Sequence, residues 1–418
     1  MNVLLLSEYF KPYDFGGSEW STYYLAKGLS KKNFKLTILT PNYGRAHSNE
    51  NVYNFEVIRF PFYKKIKNRK QLSPFWQTNI IWLLWTSFYT IKYCLQNQVD
   101  LIHIQGKYFL PAAIVAKFLL GKKVIITLRD YILLCPLGLC FLEGDKACTL
   151  PNYFISDLRK YISIYMQGAS RYQIFIQILA SIRARLVSYF LRLLLMFVDS
   201  KIALSKLEKD IYKRSGVKKM TVIANPIDTD HLLKSWIKNK KVAFAGRLTP
   251  GKGPDVLLES IPTILEKYPE VSFYFFGEGV LKARLITRAM SLKISHKIKF
   301  GGRIDHQNLL NFISSSAVTA VPSIWPEPFG RVALESLAMS TPTVVTTRTG
   351  IAKSIKNKKW GRVVNPTPES IAHGIIYVLD NFKALRQNIK KDKFEIQDRW
   401  GAQVYNSYSK IYRKVMVQ

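Results

Sequence analysis

The sequence predicts an α/β protein made of two Rossmann-like domains that face a central cleft. Short apolar strands alternate with helical patterns, and the alternation restarts after a lysine-rich link that follows Pro226. The chain has 418 residues, 48% of them hydrophobic and 22% charged, which suits two globular domains. We expect an N-terminal domain over residues 1–222, a C-terminal domain over 223–395, and a final helix within 396–418 that could pack on either domain.

The N-terminal domain begins with a buried type of strand at Val3–Leu6. A loop ending in Gly16-Gly17 follows, and then a helical pattern for which Ser18 is a suitable N-cap. The next strand covers residues 35–40, which gives the β-loop-α-β opening of a doubly wound sheet. Further strands are predicted in this domain over residues 100–104, 123–128, 201–204 and 220–223.

The C-terminal domain repeats the same pattern. A strand is predicted over residues 241–246, followed by a glycine- and proline-containing loop and a helix over 255–265. Four more strand signals cover residues 271–276, 298–300, 317–321 and 343–345. Two such domains make the cleft between them the expected substrate site.

The charge of the chain is strongly positive: 62 Lys and Arg residues stand against 28 Asp and Glu residues, a net charge of +34. Both halves carry the excess, which indicates an anionic partner such as nucleic acid, an anionic membrane surface or a phosphorylated substrate. The alternative is a lysine-rich composition with no such partner. We expect no nucleic acid partner, because the sequence shows no helix-turn-helix, zinc finger or RNA-binding motif.

The cysteine content and the N-terminal residues predict a cytoplasmic protein. Four cysteines are too few for a disulfide scaffold, and the first residues lack the features of a signal peptide. The most apolar stretch, residues 186–198, is short and contains Arg192, so a membrane span is not expected.

No cofactor or metal is expected from the sequence. Cys135, Cys140 and Cys148 lie close together, but they include no C-x2-C pair and show no fourth ligand, so buried free thiols are preferred to a zinc site. Asp228-Thr229-Asp230 resembles a metal-binding acidic pair and is interpreted as the end of a turn.

Two groups of residues could bind a phosphorylated substrate. Gly16 and Gly17 precede a helix, where backbone N–H groups favour an anion, although a simple tight turn is the better interpretation of a glycine pair alone. The motif G-x-G-x-x-G is absent there, which disfavours a nicotinamide or flavin enzyme. Arg247 and Lys252 flank a turning loop after a strand and could bind a diphosphate. The alternative for these two cations is solvated surface charge.

Two carboxylates mark the third candidate. Glu327 and Glu335 lie eight positions apart, on either side of a helix start near Phe329 or Gly330. One could accept hydrogen bonds from sugar hydroxyls and the other from a ribose, while the helix N-terminus suits a phosphate. A glycosidase pair is the competing chemistry, but it would leave the neighbouring cationic loop without a role.

Taken in order, these segments resemble the retaining glycosyltransferases of the GT-B fold, glycosyltransferase group 1 or family four. The resemblance covers nearly the whole chain. The matching segments are Gly16-Gly17-Ser18-Glu19, Asn225-Pro226-Ile227-Asp228, Gly246-Arg247 with Lys252-Gly253, Gly277-Glu278-Gly279, and Glu327-Pro328-Phe329-Gly330 with Glu335.

The resemblance implies transfer of a hexose-type sugar from a nucleotide-diphosphate sugar to a lipid-linked or polysaccharide (including lipopolysaccharide) acceptor, with retention and without a metal. It also implies a final helix that crosses back to the first domain. The implied site residues are Gly16 and Gly17 beside the diphosphate, Arg247 and Lys252 neutralising it, Glu327 with Phe329 and Gly330 holding the sugar, Glu335 on the ribose, and Arg303 and Ile304 near the base.

The sequence departs from the family around the sugar and the acceptor. Gln105 stands where relatives have a sugar-contacting His, and Arg129-Asp130 stands where many have His-Asp. We still expect Gln105 and Asp130 to contact substrate. The alternatives are another GT-B activity, such as a sugar epimerase, and a non-catalytic sugar-binding protein.

Two segments suggest a membrane surface as a partner. A basic cluster at residues 64–70 precedes Phe75, Trp76, Trp82 and Trp85, and residues 174–198 combine arginines with aromatic and leucine side chains. Basic residues beside tryptophans suit an anionic bilayer interface, which predicts peripheral binding at the inner face of the cell membrane. Core helices with solvated lysines are an equally good interpretation.

Overall fold

The computed structural model describes residues 1–44, 46–66, 72, 74–144, 147–227 and 240–417. These residues form two compact units. The first unit comprises residues 1–140, 147–226 and 401–417, and the second comprises 141–144, 227 and 240–400. The units thus divide at Pro226, close to the boundary that the sequence predicts after residue 222. Lys67–Lys70 of the basic cluster and Asp228, Thr229 and Asp230 lie outside the described residues.

The first unit is built on an eight-stranded sheet. Its strands are β1 (Asn2–Leu6), β2 (Lys35–Asn42), β3 (Asn49–Val52), β4 (Phe55–Pro61), β5 (Leu101–Ile104), β6 (Lys123–Thr127), β7 (Ser200–Ala203) and β8 (Met220–Val222). They are arranged in the order β3-β4-β2-β1-β5-β6-β7-β8. Every neighbouring pair is parallel except the hairpin β3–β4.

Among the described residues, seven helices that precede the second unit accompany this sheet. They are α1 (Gly17–Ser30), α2 (Ile80–Gln96), α3 (Leu110–Leu120), α4 (Leu150–Asn152), α5 (Leu158–Tyr165), α6 (Arg171–Leu194) and α7 (Lys206–Arg214). A π-helical turn, Tyr153–Asp157, joins α4 to α5. Gly16 is the N-cap of α1, in place of the predicted Ser18, and its N–H donates to Glu19 Oε2 at 2.9 Å, which satisfies one of the free donors at the helix start.

The second unit is built on a six-stranded parallel sheet. Its strands are β9 (Lys241–Ala245), β10 (Ser272–Phe276), β11 (Ile298–Gly302), β12 (Val318–Val321), β13 (Thr343–Thr346) and β14 (Gly361–Val364), in the order β11-β10-β9-β12-β13-β14. Its helices are α8 (Pro254–Lys267), α9 (Lys282–Ser291), α10 (His306–Ser314), α11 (Arg331–Ala338), α12 (Ala352–Lys358), α13 (Pro368–Asp380), α14 (Phe382–Lys391) and α15 (Lys393–Gln397).

The last helix, α16 (Gln403–Val417), belongs to the first unit. Its apolar side enters the same core as α1 and the central strands, where Tyr408 and Tyr412 are buried. The Tyr412 hydroxyl lies 2.6 Å from His103 Nδ1, and the Tyr408 hydroxyl lies 3.2 Å from Thr127 Oγ1. Side chains at the end of the chain therefore complete the polar interior of the first sheet.

Three strands were not predicted from the sequence. β3 and β4 form an antiparallel hairpin at the edge of the first sheet, and β14 lies at the edge of the second. β3 reads Asn-Glu-Asn-Val and is almost wholly exposed, so it lacks the apolar pattern on which strand prediction depends. β14 has only one buried residue, Gly361.

The helix α6 is long and mostly exposed. The segment Arg171–Phe197 is the one described helix whose length and apolar composition would allow it to cross a membrane, and only 17% of its most apolar window is buried. A membrane span was not expected from the sequence, because its most apolar stretch covers only residues 186–198. The arginines of α6 bond within the first unit: Arg185 donates to the Leu134 carbonyl at 2.6 Å, and Arg192 donates to the Ser215 carbonyl.

The contact between α1 and α16 gives a test of the first unit. A Cβ on Gly28 would lie 2.0 Å from the Tyr405 ring, so we expect Gly28→Ala to destabilise the protein by about 1–3 kcal/mol in urea unfolding. The matched control is Gly401→Ala, because a Cβ there meets nothing within 4 Å. Equal stability of the two variants would contradict the close packing of α1 on α16.

Candidate functional site

In both sheets the connections change direction at a central pair of strands. The chain leaves β1 on one side and returns to pair β5 on the other, and β9 and β12 have the same relation in the second unit. Ligands in open α/β sheets bind beyond the carboxyl ends of the strands at such a switch point. The loops after β1, β5, β9 and β12 are therefore the candidate ligand-binding loops, and they carry many of the residues predicted from the sequence.

In the second unit, the switch point holds an ion pair that is largely shielded from solvent. Lys252 Nζ, from the loop after β9, lies 2.7 Å from Glu327 Oε1, from the loop after β12. The Ser323 hydroxyl donates to Glu327 Oε2 at 2.6 Å. The two side chains of the ion pair are only 20% and 13% exposed. The ion pair therefore links the loop after β9 to the loop after β12. It holds the Lys252 ammonium and the Glu327 carboxylate where these two loops meet.

The electrostatic balance keeps Glu327 ionised. Burial acts to raise the pKa of the Glu327 carboxyl, but the charge and hydrogen bond of Lys252, the Ser323 hydroxyl and the charge of Arg247 lower that pKa below its ordinary value. The side chain of Arg247 is exposed. The site thus combines one fixed ammonium, one exposed guanidinium and one buried carboxylate.

Close backbone packing positions these loops. Gly253 has φ +66°, and a Cβ there would lie 2.0 Å from the Pro322 carbonyl oxygen, so only glycine allows the loop of Lys252 to meet the loop of Glu327. Gly277 and Gly279 have the same function for the loop of Arg247: their added Cβ atoms would fall within 2.3 Å of the carbonyl oxygens of Gly246 and Leu248.

The segment around Phe329 and Gly330 is held by the loop after β13. Glu327 N–H donates to the Arg348 carbonyl at 2.7 Å, and Ile351 N–H donates to the Phe329 carbonyl at 2.8 Å. Phe329 is buried, and Gly330 is the N-cap of α11 with φ +96°. The predicted helix start near these two residues is thus observed, and its position depends on the loop at 348–351.

Glu335 lies on α11 and is also buried. Its Oε1 accepts from Arg331 Nε and from His306 Nε2, both at 2.8 Å. Burial raises the pKa of this carboxyl, and the Arg331 charge and the His306 hydrogen bond lower it below the ordinary value. Arg303 is exposed and Ile304 half-buried in the loop before α10. Sequence reasoning missed His306, whose relation to Glu335 exists only after folding.

In the first unit, a small pocket that opens to solvent lies at the switch point. Gln105 and Asp130, both predicted from the sequence, line it together with Glu8, Lys107 and Arg129. Lys107 Nζ lies 2.6 Å from Asp130 Oδ2, and the Tyr108 N–H donates to Glu8 Oε1. Glu8 was not predicted, although its position directly after β1 was a usable signal.

Gln105 has both ends of its amide engaged. Its Nε2 lies 2.9 Å from His103 Nε2, and its Oε1 accepts from Arg129 Nη2. Arg129 also donates to Asn225 Oδ1 at 3.1 Å. Burial and, to a smaller extent, the Arg129 charge together lower the pKa of His103 to about 3, so His103 is neutral at physiological pH.

Gly16 and Gly17 are exposed at the start of α1, and Ser18 beside them lines the same pocket. The Gly16 N–H is already used by Glu19. Burial raises the pKa of the Glu19 carboxyl to about 7, against the lowering effect of its backbone hydrogen bonds.

Comparison with known proteins agrees with this arrangement. The family model "Glycosyltransferase Family 4" matches residues 15–231, more than half of the chain, and the model "Glycosyl transferases group 1" matches residues 233–395. The chain belongs to this glycosyltransferase family. The resemblance to glycosyltransferase group 1 or family four that was inferred from the motifs is confirmed.

Individual matches give the extent of the similarity in sequence and in fold. An uncharacterized glycosyltransferase of Methanocaldococcus jannaschii is 36% identical over 160 residues, which cover 37% of this chain and 40% of the relative. The match thus spans about 40% of that relative's length. Sucrose-phosphate synthase from Thermosynechococcus elongatus has a TM-score of 0.74 at 16% identity, covering 100% of this chain and 99% of that one. HepE of Anabaena, in complex with UDP and glucose, has a TM-score of 0.65 at 16% identity, covering 98% of each chain. The predicted α/β fold of GT-B type, with two Rossmann-like domains, is confirmed.

The buried ion pair gives a test of the second unit. Lys252→Met leaves the Glu327 carboxylate buried without its cation, and we expect a loss of stability on the order of 3 kcal/mol in urea at neutral pH. Because the folded pKa of Glu327 is lowered, its contribution is present above the carboxyl's ordinary pKa and is lost as the pH falls through the folded value. The wild type should therefore lose stability on acidification more steeply than the variant.

The matched control is Lys282→Met, which removes an exposed pair with Glu278 at 2.8 Å. Its effect should stay within about 1 kcal/mol. Equal losses in the two variants would show that the Lys252–Glu327 pair contributes no more than a surface pair.

Proposed function

We propose that this protein is a retaining glycosyltransferase that transfers a hexose-type sugar from a nucleotide-diphosphate sugar to a lipid-linked or polysaccharide acceptor. The family supports sugar transfer. The observation that carries the proposal is the arrangement of Lys252, Glu327 and Arg247 on the loops at the switch point of the second sheet. A diphosphate placed there would meet one fixed cation and one exposed cation.

A nucleotide-diphosphate donor agrees with both the charge and the fold. HepE, whose fold is similar, is in complex with UDP and glucose. In this chain, the net charge of +34 favours binding of any polyanionic ligand. The side chains of Lys252 and Arg247 are where we expect such a ligand to bind. Glu335 would accept hydrogen bonds from the ribose through its second oxygen, because Oε1 is already bound by Arg331 and His306.

The chemistry follows from where charge develops. When the bond between the anomeric carbon and the diphosphate oxygen breaks, the electron pair stays on the diphosphate and the sugar gains oxocarbenium character. Lys252, Arg247 and the N–H groups at the start of α11 stabilise the new negative charge. The acceptor hydroxyl attacks on the same face, and the departing phosphate oxygen takes its proton, so the configuration at the anomeric carbon is retained.

Glu327 both positions Lys252 and binds the sugar. A carboxylate has about four acceptor sites, and Lys252 and Ser323 use one on each oxygen. The remaining sites are available to sugar hydroxyls. Because its pKa is lowered, Glu327 stays an acceptor at neutral pH and does not act as a proton donor.

The reaction as proposed uses cationic side chains where other enzymes use a divalent metal. Two cations and the N-terminus of α11 supply the positive charge that the leaving group requires. Adding Mg²⁺ or Mn²⁺ should therefore leave the transfer rate unchanged.

The pocket of the first unit is the proposed acceptor site. Glu8, Lys107 and Asp130 offer both acceptors and donors for hydroxyl groups. Burial raises the pKa of the Glu8 carboxyl, while the Lys107 charge lowers it, so this group is suited to exchange hydrogen bonds with an acceptor hydroxyl. Gln105 lines the pocket and acts mainly by holding Arg129 and His103 in place.

Arg247 gives the sharpest test of the donor site, because its side chain is exposed and its replacement should not disturb the fold. We expect Arg247→Gln to weaken binding of uridine or guanosine diphosphate, measured by calorimetry, at least about tenfold, the equivalent of one charge-assisted hydrogen bond. Slow hydrolysis of the corresponding nucleotide sugar should fall with it.

The matched control is Arg284→Gln, an exposed arginine on α9. If both variants bind the nucleoside diphosphate with wild-type affinity, the proposed diphosphate site is wrong. Donor binding without hydrolysis or transfer by the wild type would favour a non-catalytic sugar-binding protein.

We also propose that the first unit binds the inner face of the cell membrane peripherally. The outer side of α6 exposes Phe175, Leu186 and Tyr189, and the 3-10 turn that follows it, Leu195–Phe197, exposes Met196; these four side chains are between 56% and 73% exposed. The opposite side carries Ser181 and Ser188, both buried, and the bonded Arg185. A helix that is bound to its own domain on one side and apolar on the other suits a position in the plane of the interface.

A second apolar surface and several cations lie near this helix. α2 exposes Ile80, Leu84 and Phe88. The Cζ atom of Arg183, on α6, lies 4.3 Å from the centroid of the Phe75 ring, and Lys64 Nζ lies 4.5 Å from the centroid of the Trp76 ring. These cation–π contacts place positive charge beside exposed apolar groups, which favours anionic headgroups.

Sedimentation with vesicles tests this proposal. The wild type should sediment with vesicles containing anionic phospholipid and much less with zwitterionic vesicles, and added salt should weaken binding. Leu186→Glu together with Met196→Glu should abolish binding. Phe394→Glu is the control, because Phe394 is 79% exposed in the second unit. Failure of the wild type to sediment at low salt would overturn the proposal.

A further inference from the structure

Three cysteines and one aspartate converge in the first unit, away from the pocket at its switch point. The ligand atoms of Cys135, Cys140, Cys148 and Asp157 all lie within 4.8 Å of one another. Cys135 Sγ lies 3.5 Å from Cys148 Sγ and 3.5 Å from Asp157 Oδ2. All four cysteines of the chain are free thiols.

These distances match a tetrahedral site. Zn²⁺ binds thiolate sulfur at about 2.3 Å, which places two ligand sulfurs roughly 3.8 Å apart. A shared ion therefore requires only small movements of the four side chains. The combination of thiolates with one carboxylate is also a set of ligands that zinc accepts.

The local fold brings the four ligands together. After β6 ends at Thr127, the chain turns, and the Cys135 N–H donates to the Tyr131 carbonyl at 2.9 Å. Asp157 lies at the end of the π-helical turn between α4 and α5. The Cys140 N–H donates to Asp157 Oδ2 at 3.2 Å, which orients the carboxylate toward the thiols.

The burial of Asp157 is the second observation that indicates a cation. Asp157 is only 2% exposed, and none of the ion pairs among the described residues includes it. A buried carboxylate surrounded by thiols is costly unless a positive charge compensates it. Arg185 lies close by and donates to the Leu134 and Cys148 carbonyls, so its guanidinium bonds to the backbone of the cluster.

We propose that Cys135, Cys140, Cys148 and Asp157 bind a structural zinc ion. All four coordination positions are filled by protein groups, as in structural zinc sites and unlike catalytic ones. Free thiols were expected from the sequence because no fourth ligand is visible there; the structure supplies Asp157, which lies on a helix and outside any cysteine motif. Two of the ligands, Cys140 and Cys148, flank residues 141–144, which belong to the second unit.

The first experiment measures the metal content of the full chain purified under reducing conditions. We expect one zinc per chain in the wild type and a loss of zinc in Cys140→Ser and in Asp157→Asn. Cys94→Ser is the matched control, because Cys94 is a buried thiol outside the cluster. Wild-type protein without zinc after expression with added zinc, or full zinc in the two cluster variants, would overturn the proposal.

A second experiment uses only the wild-type protein, so its result does not depend on whether the variants fold. Wild-type protein stripped of metal is titrated with Co²⁺, which should give one equivalent of thiolate-to-cobalt charge-transfer absorption and the visible bands of a tetrahedral site. Zn²⁺ should displace this signal and raise the unfolding temperature. A Cys135–Cys148 disulfide in protein purified without reductant, together with no cobalt signal after reduction, would show a redox pair instead of a metal site.

Discussion

Parallel strands bring the residues that follow them to one edge of a sheet, and the reversal of connections between two central strands leaves the loops there uncovered. This constraint places the Lys252–Glu327 pair in the second unit and the Glu8, Lys107 and Asp130 pocket in the first. Residues distant in sequence, such as Lys252 and Glu327, meet because β9 and β12 are neighbours. Gly253 allows these two loops to approach closely enough for Lys252 and Glu327 to pair, and Gly277 allows the loop of Arg247 to pack closely beside β10.

The sequence was sufficient to predict those strands and site residues that have a local sequence pattern. Buried parallel strands are continuous apolar runs, and several of the loops after them contain glycine, so the central strands of both sheets and most candidate residues could be predicted. The edge strands β3 and β14 were not predicted, because β3 is exposed and polar and β14 has a single buried residue. Their pairing partners, which the sequence does not show, determine that they are strands.

Partners that meet only in the folded chain were also missed. His306 bonds to Glu335 across 29 positions, and Asp157 reaches the cysteines from a helix. Neither has a motif, because the spacing between partners is set by the intervening helices. Gln105 illustrates the opposite case. Its type and position were noted from the sequence as a departure from the family, but only the structure shows that His103 and Arg129 use both ends of its amide.

The position of α16 has a consequence for synthesis of the chain. His103 and Thr127, in the middle of the first sheet, find hydroxyl partners on Tyr412 and Tyr408, which are translated after all the strands of both sheets. Until α16 has been made, the N-terminal core lacks these two hydroxyls and the apolar side of that helix. The second unit is nearly continuous in sequence and has all of its strands earlier. The unit whose strands are translated first is therefore completed only after the strands of the other unit exist.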